Sequence, residues 1–141
     1  MVGSVFGKAR GKITDPVRHS YEQLDFVEFS FPKDKLAESL NTVQLKRLDL
    51  ARALATSPRL LLLDELASGL TEGELTDLMS IILRIRNNGV TILIVEHLMR
   101  VIMGLCDRLI VINYGKKIAE GPTREVARES AVSEAYLGTG E

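Results

Sequence analysis

The 141-residue sequence lacks several features that would each point to a particular class of protein. It has one cysteine, Cys106, so it cannot form an internal disulfide, and we expect this thiol to be a small side chain in the core. The formal net charge is −1 and there is no basic tract, which argues against a nucleic-acid partner. No apolar run approaches the roughly 18–20 residues of a transmembrane helix, and no signal-peptide pattern opens the chain. We therefore expect a soluble, cytoplasmic chain that serves a membrane only by docking on another subunit.

Apolar runs alternate with amphipathic stretches after residue 40. Four apolar runs are typical of strands: residues 60–63, 90–95, 108–113 and 117–119. Three stretches have helical spacing: residues 41–56, 71–88 and 98–105. The first two runs are continuous, which is expected of strands buried on both faces. Strands that alternate with helices indicate an α/β fold with a mainly parallel sheet.

The first 40 residues have a different pattern, in which no strand is expected. Residues 1–13 are rich in glycine and lysine and are expected to form a loop or a frayed end. Asp15 and Pro16 suit the cap and first turn of a helix to about Phe29, followed by a short polar helical piece at 33–39. We therefore predict a separate helical lobe for this part of the chain.

Two adjacent carboxylates, Asp64 and Glu65, follow the apolar run 60–63 directly. Ligands of α/β sheets bind outside the carboxyl ends of the strands. A carboxylate in that position can hold Mg²⁺, which prefers oxygen ligands, and a second one can orient or deprotonate an attacking water. The alternative is a strand that simply ends in solvated acids.

The next predicted strand ends in Glu96 and His97. His97 lies 32 residues after Glu65, across one helix and one strand, so we expect the two strand ends to be neighbours. A histidine there can donate a hydrogen bond to a transferring phosphoryl group. An ordinary loop histidine is the alternative.

Residues 40–54 precede these strands and form the third element of interest. The N-terminus of a helix exposes unpaired N–H groups and a partial positive charge, which together make an anion site. Residues 40–54 are equally compatible with an ordinary amphipathic helix of good intrinsic propensity.

Taken together, these residues resemble the ATP-binding cassette (ABC) ATPase family. Residues 40–54 are similar to its signature helix, usually written LSGGQ followed by a basic pair and ARAL. Asp64 and Glu65 resemble its Walker B motif with the catalytic glutamate, residues 67–70 its D-loop, and His97 its H-loop histidine. The four motifs have the order and spacing of the family, and the resemblance covers nearly the whole chain.

The C-terminal half of the sequence resembles one subfamily of the ABC ATPases in particular. Five segments are similar to the Glu-His type of the two ATP-binding subunits in branched-chain amino acid importers: residues 94–103, 106–108, 114–116, 118–121 and 134–138. Related lipid-export ATPases share parts of this pattern, so the resemblance indicates the family more strongly than the transported substrate.

The resemblance implies the C-terminal part of a P-loop NTPase cassette, with an α/β fold and a mainly parallel sheet. Residues 41–121 would form the ATPase core, residues 1–40 part of a helical subdomain, and residues 122–141 the C-terminal helices. It implies ATP and Mg²⁺ as cofactors. The implied roles are metal binding for Asp64, catalysis for Glu65 and His97, and nucleotide contact for Asn41, Thr42, Val43 and Gln44.

The resemblance also implies partners and a location. These are a second ABC ATPase subunit, identical or different, and transmembrane permease subunits at the cytoplasmic face of the plasma (inner) membrane. In the family, two cassettes sandwich ATP between them, and each contributes its signature segment to the nucleotide site of the other.

The sequence departs from the family in two places. It contains no Walker A loop, G-x-x-x-x-G-K-S/T, because the Gly-Lys pairs at 7–8 and 11–12 lack both the earlier glycine and the following Ser or Thr. In the signature segment, Asn41 replaces the usual serine, and Thr42 and Val43 replace two glycines. Val43 adds a branched side chain where glycine lets the backbone approach phosphate.

Three hypotheses follow. The first is the C-terminal portion of a transport ATPase, active once a P-loop completes it and inactive in isolation. The second is a non-catalytic module that pairs with a complete ATPase subunit or docks on a transporter. The third is a truncated reading frame without a stable fold, whose uncovered strand edges favour aggregation.

Overall fold

A computed structural model of the chain describes residues 2–4, 15–32 and 36–137. They divide into two compact units, Met1–Glu96 and His97–Glu141. This division by compactness does not test the predicted boundaries after residues 40 and 121, which separate a helical subdomain, an ATPase core and C-terminal helices. Those boundaries stay predictions. None of the helices in the described ranges is both long enough and apolar enough to span a membrane.

The first unit has strands and helices in alternation. Its described strands are β1 (Val2–Ser4), β2 (Leu60–Asp64) and β3 (Thr91–Val95). Its described helices are α1 (Pro16–Phe26), a short 3-10 helix (Ala37–Ser39), α2 (Thr42–Leu54) and α3 (Glu72–Asn87). The bounds of β2, α2, α3 and β3 match the predicted ones to within two residues.

The sheet of the first unit has the order β1-β2-β3. β2 and β3 run parallel with Asp64 opposite Val95, and β1 runs antiparallel to β2 with Gly3 opposite Leu62. The prediction of a loop at residues 1–13 is therefore wrong for Val2–Ser4, and residues 5–13 lie outside the described part. The strand forms because the second edge of β2 also carries backbone groups that need partners.

The two faces of this sheet differ in burial. Leu61 and Leu63 of β2 are 0% and 1% exposed and share one face with the partners they pair with on β3. On the other face Leu93 is 54% and Val95 61% exposed, beside the half-buried Leu62. We call Leu62, Leu93 and Val95 the open sheet face. The prediction that residues 90–95 are buried on both faces is wrong, because nothing in the described part of the chain covers this one.

Side-chain caps define the helix starts of the first unit. In α2 the N-cap is Asn41, whose Oδ1 accepts from the Gln44 N–H, and in α3 it is Thr71 with Glu74 in the matching role. Each pair forms a capping box, in which two unpaired N–H groups are satisfied reciprocally. Asp15 caps α1 by accepting from the Arg18 N–H.

α1 ends three residues earlier than predicted, at Phe26, because Glu28 adopts a left-handed backbone with φ of 56°. Two arginines satisfy the carbonyl groups at this end. Arg47 of α2 donates to the Glu28 carbonyl at 2.6 Å, and Arg84 of α3 donates to the Phe26 carbonyl at 2.9 Å. Arg84 also pairs with the Glu28 carboxylate at 2.7 Å and lies 5.4 Å from the Phe26 ring centroid. The end of α1 is therefore fastened to both neighbouring helices.

The second unit is built on a hairpin. Its described elements are α4 (Met99–Leu105), β4 (Arg108–Asn113), β5 (Lys116–Pro122), α5 (Thr123–Val126) and α6 (Ser130–Leu137). β4 and β5 pair antiparallel, as predicted, although β5 begins one residue earlier and runs three residues further. Tyr114 and Gly115 both have positive φ, the geometry of a type I′ turn.

A small apolar core holds the second unit together. Four buried side chains form it: Val111, Ala119, Val126 and Val132. The buried Thr123 begins α5, and its hydroxyl donates to the Cys106 carbonyl at 2.8 Å. Cys106 itself is half-buried, so its predicted place in the core is only partly correct.

Candidate functional site

The acidic pair lies at the carboxyl end of β2. Asp64 is the last residue of the strand, and Glu65 opens the following turn, with both side chains exposed. Glu65 has a φ of 49°, in the left-handed region that non-glycine residues rarely adopt. Its N–H donates to the Val95 carbonyl at 3.0 Å, so the turn starts as an extension of the β2–β3 pairing.

The turn formed by residues 65–70 is held on two further sides. The Ala67 N–H donates to Oε1 of Glu96 at 2.7 Å, and Nζ of Lys46 donates to the Glu65 carbonyl at 3.2 Å. Gly69 has a φ of 74°, and a β-carbon built on it would lie 3.3 Å from Cγ2 of Thr42. The turn thus lies directly against the first two turns of α2.

The candidate nucleotide-contacting segment forms the start of α2. Asn41 and Thr42 are exposed, while Val43 and Gln44 are half-buried. The capping box occupies the N–H groups of Asn41 and Gln44, with distances of 3.0 and 2.9 Å to their side-chain acceptors. These two amides are committed within the helix, which reduces the number of donors that this N-terminus offers to an anion.

His97 is the first residue of the second unit and is exposed. It follows Glu96 directly in the chain, two residues beyond the end of β3. Its predicted proximity to Glu65 stays a prediction.

Asp64 is the residue predicted to bind metal. Within the described ranges, no three histidine, cysteine or acidic side chains form a group that could hold an ion. Such a cluster is not required for Mg²⁺, which proteins usually hold through one or two carboxylates together with waters and substrate phosphates. The exposed Asp64 carboxylate at a strand end therefore suits a Mg²⁺ ion that arrives with a nucleotide.

Glu96 and Lys46 were given no role from sequence, although both contact the turn that carries Glu65. For Glu96 a signal was available. The predicted strands 60–63 and 90–95 should end at the same edge of a parallel sheet, which places the residue after Val95 beside the turn after Asp64, and the register of the structure agrees. No comparable signal identified Lys46, since it depends on how α2 packs beside β2.

No protein-family model matches the chain, but individual proteins do. A high-affinity branched-chain amino acid transport ATP-binding protein, BraF of Pseudomonas aeruginosa, is 34% identical over 94% of this chain and 51% of its own length. The lipopolysaccharide export ATP-binding protein LptB of Escherichia coli is 33% identical over 75% of this chain and 44% of its own. The chain spans about half the length of the curated relatives it matches.

The chain is also similar in fold to solved structures of ABC transporter cassettes. The ADP conformation of an ATP-binding cassette from an ABC transporter has a TM-score of 0.79 at 30% identity, covering 94% of this chain and 54% of its own. A dimeric ABC transporter cassette has a TM-score of 0.65 over 83% of this chain and 52% of its own, and at 24% identity it shares the fold alone.

The fold is that of an ABC ATPase cassette, so the predicted α/β class is confirmed. The chain is a homologue of ABC transporter ATP-binding proteins, among them those of branched-chain amino acid transport, over a stretch about half a cassette long.

Proposed function

We propose that this chain is the hydrolytic half of an ABC transporter ATPase, which works once a P-loop supplied by other residues holds the nucleotide phosphates. One observation carries the proposal: the turn after the Asp64–Glu65 pair lies against the start of α2, with Gly69 beside Thr42. In our proposal, this contact couples the carboxylate that acts on one nucleotide to the segment that contacts the nucleotide of the second subunit.

In this proposal each predicted residue has a distinct task. Asp64 binds Mg²⁺, which neutralises charge on the phosphates as it does in phosphoryl transfer generally. Glu65 orients the attacking water and accepts its proton. His97 donates a hydrogen bond to the transferring phosphoryl group.

The start of α2 serves a nucleotide held by a second ATPase subunit. Thr42 and Val43 lie in its first turn, where the helix dipole favours an anion. We propose that Asn41 to Gln44 contact that nucleotide, with weaker phosphate contact than two glycines would permit, because Val43 carries a branched side chain.

We further propose a transporter for branched-chain amino acids, with permease subunits that hold the ATPase at the cytoplasmic face of the plasma (inner) membrane. The relatives at 34% identity are named for that transport, which supports the choice. LptB at 33% identity makes lipopolysaccharide export the competing substrate class.

An ATPase assay tests the hydrolytic role. The chain alone should bind no Mg-ATP by calorimetry, whereas a mixture with the P-loop-containing N-terminal half of a related cassette, which lacks its own Walker B carboxylates, should hydrolyse ATP faster than either part alone. Glu65→Gln should remove the gain, and Glu72→Gln, an exposed acid in the first turn of α3, serves as the matched control. A mixture without any gain would contradict the proposal, and micromolar ATP binding by the chain alone would show that it carries its own phosphate site.

A non-catalytic module is the second candidate. The capping box favours it, because the bonds of 3.0 and 2.9 Å occupy two amides at the helix end that would otherwise face a nucleotide. In that case the chain would form a complex with a complete cassette but would produce no ATPase activity with the N-terminal half, and Glu65→Gln would change neither result.

A further inference from the structure

The backbone of Glu65 requires support from its surroundings. A glutamate at φ of 49° lies in a sparsely populated region, and such residues persist only where neighbouring contacts determine their conformation. The Glu65 N–H is bonded to Val95 and its carbonyl to Lys46, so the residue is fixed on both sides of its α-carbon. Beyond Glu65, the turn has a further anchor at Ala67.

Glu96 supplies that anchor. Its Oε1 accepts from the Ala67 N–H at 2.7 Å, across 29 positions in the chain and two residues beyond Glu65. A bond from a backbone amide to a carboxylate is about twice as strong as one between neutral groups. We propose that Glu96 is a positioning residue, which holds the turn 65–70 so that the Glu65 carboxylate keeps one direction.

The geometry explains why this position suits an acceptor. Glu96 follows Val95, which is opposite Asp64 in the parallel register, so its side chain starts level with the turn. An aspartate would be one methylene shorter, and a glutamine would keep an oxygen at the same reach without the charge. The glutamine variant therefore separates the hydrogen bond from the charge.

Amide hydrogen exchange measured by NMR on the 141-residue chain tests the contact directly. In Glu96→Ala, exchange of the Ala67 amide should accelerate roughly ten- to a hundredfold, the equivalent of one lost charged hydrogen bond. In Glu96→Gln the acceleration should be smaller, roughly three- to tenfold, because a neutral acceptor keeps about half of the strength of the bond. Glu74→Ala is the matched control, since Glu74 caps α3 and should change exchange at Thr71 but not at Ala67.

Two exchange results would overturn the proposal. Unchanged exchange of Ala67 in Glu96→Ala would show that the carboxylate does not hold the turn. Equally fast exchange in Glu96→Gln and Glu96→Ala would show that charge, rather than the acceptor, accounts for the effect. Both readouts are taken on the chain without nucleotide, so they do not depend on hydrolysis.

The catalytic consequence rests on the proposed function, and the mixture with the P-loop-containing N-terminal half of a related cassette tests it. Glu96→Ala should lower kcat at least about tenfold with KM for Mg-ATP unchanged, and Glu96→Gln should restore most of the rate. An unchanged kcat in Glu96→Ala would refute the positioning role. An inactive wild-type mixture would instead refute the proposed function, while the exchange experiment would still decide whether Glu96 holds the turn.

Discussion

Replacing Gly69 with alanine tests the packing contact between the turn 65–70 and α2. At φ of 74°, an alanine adopts a left-handed backbone that costs roughly 1–2 kcal/mol. Its β-carbon also lies 3.3 Å from Cγ2 of Thr42, which adds about a few tenths of a kcal/mol if α2 shifts slightly. Reduced freedom of the unfolded chain offsets about 0.4–1 kcal/mol of this cost. The net destabilisation is therefore about 1 kcal/mol, or a melting temperature about 4–8 °C lower for a domain of roughly 100 residues.

Thermal and urea unfolding of the 141-residue chain measure this effect. Gly73→Ala is the control, because Gly73 lies in α3, has no atom within 4 Å of an added β-carbon and should gain up to roughly 0.5–1 kcal/mol. Adding Thr42→Ser to Gly69→Ala removes Cγ2 and should recover only the smaller, steric part of the loss. If Gly69→Ala were as stable as the wild type, the left-handed turn and its contact with α2 would both be wrong.

Three further predictions concern the first unit. Leu93→Lys on the open sheet face should change the free energy of unfolding by less than about 0.5 kcal/mol and reduce self-association in sedimentation. Leu63→Ala, on the buried face, should cost about 2–5 kcal/mol, and a similar cost at both sites would contradict the burial difference. Arg84→Ala should lower the free energy of unfolding in urea by about 1–2 kcal/mol, because the arginine contacts the end of α1 through three groups. The exposed Arg52→Ala should lower it by less than about 0.5 kcal/mol, and equal losses would argue against the attachment of α1 through Arg84. Hydrogen bonds from the backbone and side chain of Thr71 lower the pKa of Glu74 below its usual 4.5. This cap therefore contributes stability above that pH and loses it as the pH falls through the lowered pKa. Glu74→Gln should flatten the pH dependence of the free energy of unfolding in that acidic range, and an unchanged slope would count against the cap.

Local signals made much of the first unit predictable. The bounds of β2 and α3 follow from an apolar run and from capping residues such as Thr71, which act over three or four positions. The strand Val2–Ser4 was missed because only its partner β2, almost sixty residues later, makes it a strand. The exposure of Leu93 was missed for a related reason: an apolar strand sequence does not reveal whether a second layer covers it.

The candidate site was predictable to a similar degree. The place of Asp64 and Glu65 at a strand end follows from the order of the elements, and the structure has them there. The left-handed backbone of Glu65 and its bond through Lys46 to α2 could not be predicted, because both depend on how the helix packs beside the strand. The roles of these residues in hydrolysis stay predictions.

The fastening of α1 has a consequence for how this helix can evolve. Arg47 and Arg84 each donate to a main-chain carbonyl oxygen at its end, a group that every amino acid provides. Substitutions along α1 can therefore alter its outer surface without loosening its attachment to α2 and α3. A helix held in this way can acquire new surface residues while α2 and α3 keep the same geometry.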